Sequence, residues 1–267
     1  LELIAMIRIA FAALLLSTTI ANAEQAVDIP SRPGQAVRAL IETPANATGS
    51  VILLSGGHGN LSLGANGSIG WGKGNQLVRT RAAYAKAGFA VAVPDFAPDL
   101  KRGDAVRDTA RWSEEHARDL GAVVAHMRKI APPVHLIGTS RAALSVTNAA
   151  VRLNGPQAPD TVTITAGMLV HFTDKQPSAE RSVGNLGRIK QPVLIVYHRD
   201  DGCSYTPASS AERAKGLLTG AKRVDIKIMS GGPAGTGDPC QAQSPHGFIG
   251  LDAEVVALVT AWLKEQK

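Results

Sequence analysis

The sequence predicts an α/β domain built on a mostly parallel sheet with helices on both faces. Short apolar runs rich in β-branched residues, such as Thr161–Thr165 and Val193–Tyr197, alternate with longer segments whose apolar residues recur at helical spacing. Val193–Tyr197 is continuously apolar, as a strand covered on both faces is expected to be. No Pro/Gly/Ser-rich linker divides the 267 residues, so one domain over residues 24–267 is expected.

Each element has a local reason. Val37–Glu42 and Ser50–Leu54 read as strands, and the turn of Pro44, Asn46 and Gly49 between them predicts a hairpin. Residues 56–74 are rich in glycine without apolar periodicity and read as a loop. Gln76–Ala87 places Leu77, Ala83 and Tyr84 at helical spacing and stops at Gly88. Phe89–Pro94 reads as a buried strand. Asp104–Ile130 predicts a long helix, with Ala105, Val106, Ala117, Leu120, Val123, Val124 and Met127 on its apolar face. Asp104 would cap that helix and Pro132 end it. Val134–Ile137 is a strand and Arg141–Leu153 a helix. Strands follow at Thr161–Thr165, Val193–Tyr197 and Val224–Met229, with helices at Pro207–Leu218 and Asp252–Lys264.

The first residues read as a targeting segment. Met6-Ile7-Arg8 supplies a basic start, Ile9–Leu16 an apolar run, and Ala21-Asn22-Ala23 a small-x-small cleavage site. A signal peptide over residues 1–23 is expected, with Met6 a more natural start than Leu1. The run is short for a membrane span, so the mature chain from Glu24 should carry no stable membrane anchor. This places the protein in the periplasm or outside the cell. Cys203 and Cys240, the two cysteines, should then pair as a disulfide.

Several function classes are disfavoured. The net charge of +6 is dispersed, with Lys and Arg clustering no further than pairs such as Lys101-Arg102, which argues against a nucleic-acid partner. No Cys/His cluster has zinc spacing, so no metal is expected. Gly67–Lys73 spells the start of a phosphate loop. Gly74 then stands where Ser or Thr should hold magnesium, and no strand precedes it, so no nucleotide cofactor is expected.

The chemistry points to Gly138-Thr139-Ser140-Arg141-Ala142. A serine between a strand and a helix, with small residues two positions either side, reads as a nucleophile elbow. The turn is so sharp that those two positions crowd each other. A serine hydroxyl needs a base and a group to orient it. Past the strand Val193–Tyr197 lie Asp200 and Asp201, and past Val224–Met229 lies His246. The order Ser, Asp, His on successive post-strand loops resembles the α/β-hydrolase superfamily, in particular its small serine esterases of the dienelactone-hydrolase type. The resemblance covers nearly all of the mature chain.

It implies a three-layer α/β-hydrolase fold and a serine hydrolase acting on a small-molecule carboxylic ester or amide. Ser140 would be the nucleophile, His246 the base and Asp201 the orienting acid, with Asp200 the alternative acid. The oxyanion would be held by the backbone N–H of Arg141 and a second N–H from the loop Ser55-Gly56-Gly57-His58-Gly59. Gly57 and His58 are the candidate donors, a choice the sequence leaves open. A Cys203–Cys240 bridge would tie the acid loop to the base loop. Of the other histidines, His135 should pack in the elbow strand, His116 and His126 ride the long helix, and His171 and His198 could wall the pocket. A ligand-binding protein on the same scaffold without catalysis is the competing reading.

Overall fold

The computed structural model describes residues 23–101, 109–172 and 176–266. Residues 1–22 of the expected signal peptide and Asp104, Ala105 and Val106 lie outside them. Eight strands form one sheet: β1 (Gln25–Arg32), β2 (Gln35–Glu42), β3 (Ser50–Leu54), β4 (Ala90–Pro94), β5 (Val134–Thr139), β6 (Thr161–Thr165), β7 (Val193–His198) and β8 (Val224–Met229). Their order is β1-β2-β4-β3-β5-β6-β7-β8. β1 and β2 are antiparallel to their neighbours and the rest run parallel. The helices are α1 (Gln76–Arg79), α2 (Arg81–Lys86), α3 (Glu114–Ile130), α4 (Ala142–Arg152), α5 (Ala211–Leu217) and α6 (Asp252–Lys264).

Apolar residues fill both sides of the sheet. Leu120, Val123, Met127 and Val146 from α3 and α4 pack in one cluster, and Leu77, Tyr84, Val255 and Val259 from α1, α2 and α6 in the other. The three expected layers are present. Burying strands on both faces explains why β3, β4 and β7 carry no polar–apolar alternation and why even the alternating threonines of β6 are buried.

The hairpin expected between Val37–Glu42 and Ser50–Leu54 does not form. β2 instead pairs with β1, across the turn at Pro33-Gly34 where Gly34 has φ +71°, and with β4. β3 lies between β4 and β5. All five of its residues are buried, which only a central position allows, and even its Ser50 hydroxyl is spent on Ala131 O at 2.6 Å. β1 escaped the sequence reading. Its Pro30 weakens the strand signal, and an edge strand tolerates a proline.

Two helices also differ from expectation. Gln76–Ala87 breaks at Thr80, whose Oγ1 bonds back to Gln76 O at 2.7 Å. α3 starts at Glu114 rather than Asp104. Ser113 caps it by accepting from the His116 N–H at 3.1 Å, and Glu114 and Glu115 suit the positive end of the helix dipole.

Two core histidines make the fold sensitive to acid. Burial pushes His116 down to about 3, helped by Arg111 and Arg32. Burial, then Arg128, pushes His135 down to about 4 against a raising effect of Asp160. Both stay neutral in the folded chain while the unfolded chain protonates them near 6.5. Their contribution is complete above that pH and is lost as the pH falls towards the folded values. Urea unfolding should lose about 4 kcal/mol between pH 7 and pH 5 from this pair. His116→Phe should show about half of that loss, and an unchanged pH slope in the variant would remove His116 from the account.

Candidate active site

The carboxyl ends of β5, β7 and β8 converge on one rim of the sheet, the edge where open α/β sheets build their sites. At the end of β5 the chain turns through Ser140, which has φ +55°. A non-glycine residue in the left-handed region is strained and is held there by its surroundings. Here the Ser140 N–H donates to Thr165 O at 2.9 Å, and α4 begins two residues later. Gly138 is needed for closeness. A Cβ at this position would stand 2.5 Å from Val146 Cγ2 and 2.9 Å from Ala142 O. The crowding expected between positions 138 and 142 is therefore present.

Past β7 the loop carries Asp201, 8 % exposed. Its Oδ1 accepts from the Cys203 N–H at 2.9 Å and its Oδ2 from the Thr206 hydroxyl at 2.9 Å. Asp200 is exposed and stands apart, its N–H donating to His198 Nδ1 at 3.0 Å. Past β8, His246 lies in a short 3-10 turn, Pro245–Gly247, and is 4 % exposed. Its Nδ1 is 3.0 Å from Asp201 Oδ2 and 2.9 Å from Thr206 Oγ1, and its Nε2 is 3.0 Å from Ser140 Oγ. The bonds fix the tautomer. Nδ1 carries the proton and donates to the carboxylate, leaving Nε2 to accept from the serine hydroxyl.

Ser140 and His246 open on a cleft of about 460 Å³. Gly57 and Arg141 line it, and His58 does not. The His58 ring packs at a tilt against Trp71, 3.7 Å between ring centroids, and its Nδ1 accepts from the Asn60 N–H at 3.2 Å. Gly57 has φ +57° and lies under Trp71, where an added Cβ would come within 2.7 Å of the indole. Asn75 and Tyr205 also line the cleft. The remaining histidines stay out of it. His198 is buried behind the acid loop and donates to Gly231 O at 2.9 Å. His171 pairs with Glu180. His135 bonds Thr161 Oγ1 within the sheet, and the His116 ring stacks on Phe96.

The expected Cys203–Cys240 disulfide is present and joins the acid loop to the base loop. Among the described residues, Asp201, Cys203 and His246 are the group whose donor atoms lie close enough to share an ion. Cys203 Sγ is already spent on the bridge, so this set cannot act as a thiolate site. Thr206 was missed by the sequence reading. Nothing local marks a threonine five residues after an aspartate as its hydrogen-bond partner.

No protein-family model and no curated protein matches the chain. Solved structures do resemble it. A dienelactone hydrolase from Anabaena variabilis aligns with a TM-score of 0.63 at 16% identity, over 91% of this chain and 97% of that one. An esterase from Pyrococcus furiosus aligns with a TM-score of 0.61 at 14% identity, over 91% of this chain and 92% of that one. A Butyrivibrio proteoclasticus protein solved with ferulic acid bound aligns with a TM-score of 0.60 at 15% identity, over 90% of this chain and 99% of that one. With eight strands in this order and the serine on the turn after β5, the chain has the α/β-hydrolase fold.

Proposed function

We propose that the protein is a serine hydrolase that cleaves small carboxylic esters through an acyl-enzyme. One observation carries the reading: the hydrogen-bonded line from Ser140 Oγ through His246 to Asp201, with the serine opening on the cleft. His246 Nε2 takes the proton as Oγ attacks the ester carbonyl, and Asp201 stabilises the imidazolium that forms. The N–H groups of Arg141 and Gly57 receive the developing oxyanion. The imidazolium then protonates the leaving alcohol. Water, activated by the same histidine, attacks the acyl-serine and releases the acid and the free enzyme. Dienelactone hydrolase and esterase structures of the same fold support an ester as the substrate. The reading places the enzyme in an exported compartment, in line with the signal segment and the disulfide.

Fluorophosphonate labelling of the mature protein tests the mechanism. One label per chain is expected, absent in Ser140→Ala, and a panel of short-chain esters and amides should show ester turnover falling at least about 10³-fold in that variant. A folded, disulfide-intact protein that takes no label would sink the mechanism and favour ligand binding without catalysis.

A further inference from the structure

Arg111 is only 2 % exposed, and among the described residues no carboxylate pairs with it: Asp95, which lines the same small cavity, is bonded to Lys101 and to the Leu61 and Leu63 N–H groups. Arg111 precedes α3, in a short 3-10 turn over Ala110–Trp112. A buried cation without a counter-ion is costly and needs a reason. Its hydrogen bonds supply one. Nη2 donates to three successive carbonyls, Ser55 O at 2.9 Å, Gly56 O at 3.3 Å and Gly57 O at 3.1 Å. Nη1 donates to Ser145 Oγ at 3.0 Å, on the helix that follows Ser140. The guanidinium also lies over the Phe96 ring, 5.5 Å from its centroid.

The consequence follows from peptide geometry. In a planar trans peptide, C=O and N–H point in opposite directions. Three carbonyls drawn to one guanidinium turn the N–H groups of Gly56, Gly57 and His58 away from it. The other side is the side of the serine. A Cβ on Gly56 would stand 3.0 Å from Ser140 Cβ, and Gly57 lines the cleft. The bond to Ser145 fixes this loop against α4, whose N-cap residue is Arg141.

We propose that Arg111 is the positioning residue of the oxyanion hole. It locks the peptide planes of residues 55–58 so that the Gly57 N–H faces the reacting carbonyl oxygen. It also sets that donor in register with the Arg141 N–H. Its charge sits at the carbonyl ends of these peptides, so it polarises them and strengthens their N–H groups as donors. Burial, then Arg141, pushes its pKa down to about 9, which leaves it charged at neutral pH. The inference rests on the serine-hydrolase reading; Arg111 turns the Gly57 and His58 N–H groups alike, and Gly57 is the donor because it lines the cleft whereas His58 does not. Lysine cannot replace Arg111, because one ammonium cannot reach three carbonyls and a hydroxyl in a planar fork.

The test compares wild type, Arg111→Lys and Arg111→Met on p-nitrophenyl acetate, with active sites counted by fluorophosphonate titration. In Arg111→Met, kcat per titrated site should fall about 100-fold, the scale of a lost oxyanion donor, while KM moves little. Affinity for phenylboronic acid, which forms a tetrahedral adduct on the serine, should fall in parallel. The pH profile should stay in place, because His246 and Asp201 are untouched, and Arg111→Lys should recover only part of the loss. A purely structural role would lower melting temperature and titrated sites but leave kcat per site and boronate affinity unchanged, and that result overturns the proposal.

A structure of the phosphonylated wild type decides the matter even where the variants do not fold. The phosphoryl oxygen should lie about 3 Å from Gly57 N, with the three carbonyls still on Arg111. An oxygen bonded instead to Asn75 Nδ2 or to water alone overturns the proposal. Absence of any label on wild type overturns the hydrolase reading itself, whereas a labelled Ser140 with undiminished variant turnover overturns only the role of Arg111.

Discussion

Asp201→Asn should lower kcat about 10⁴-fold with little loss of stability, the effect expected when a catalytic histidine is held in the wrong tautomer. The local hydrogen bonds dictate that outcome. The Cys203 N–H points at Oδ1 and must be accepted there, so an asparagine places its carbonyl oxygen at that position. Its NH₂ then occupies the Oδ2 position, facing Thr206 Oγ1 and His246 Nδ1. An amide that donates towards Nδ1 forces the histidine proton onto Nε2. Nε2 would then point an N–H at Ser140 Oγ and could not take its proton. Thr206 aggravates the change, because its hydroxyl can now accept from the amide and donate to Nδ1. Asp200→Asn is the control. Asp200 is exposed and makes its recorded bond through its backbone, so turnover should stay within about twofold. A 10⁴-fold loss in Asp200→Asn, or Asp201→Asn activity within about tenfold of wild type, would reverse the assignment of the acid.

The contrast between these aspartates shows what local sequence carries. Ser140, Asp201 and His246 each follow a strand whose apolar run is plain, so their positions on the rim were legible. The structure brings the three to hydrogen-bond distance. β6, β8 and α6 have the bounds the sequence predicts, because each is a short apolar or amphipathic segment between clear breaks. The hairpin was not legible, because a turn signal says where the chain bends and not which strand it rejoins. β3 went to the centre of the sheet because it has no face that tolerates water. Thr206 and Arg111 were illegible for a related reason. Neither sits in a motif, and each acquires its meaning from a group far away in sequence, Arg111 from Gly57 and its neighbours and Thr206 from His246. The proposed catalytic residues lie at strand ends that patterning can find. Residues that aim them are placed by packing.

Removing the bridge with Cys203→Ser/Cys240→Ser should lower both stability and turnover, for separable reasons. The bridge closes a loop of 37 residues, for which the chain-entropy model gives about 4 kcal/mol of unfolded-state constraint. For a domain of this size that is a fall in melting temperature of about 10 °C. The effect on turnover comes from the folded state. Asp201 lies two residues before Cys203 and His246 six after Cys240, so the bridge limits how far the two loops drift apart. The Asp201–His246 bond and Thr206 hold the same pair, so the catalytic loss should be smaller than in Asp201→Asn, about tenfold in kcat. Ser140 stays on its own turn, which the bridge does not touch. The variant should therefore still take a fluorophosphonate label, more slowly. Dithiothreitol acting on the wild type should reproduce both effects, and reoxidation should reverse them. If stability falls while turnover per labelled site is unchanged, the bridge serves the fold alone, and the hydrogen bonds of Asp201, Thr206 and His246 suffice to align the site.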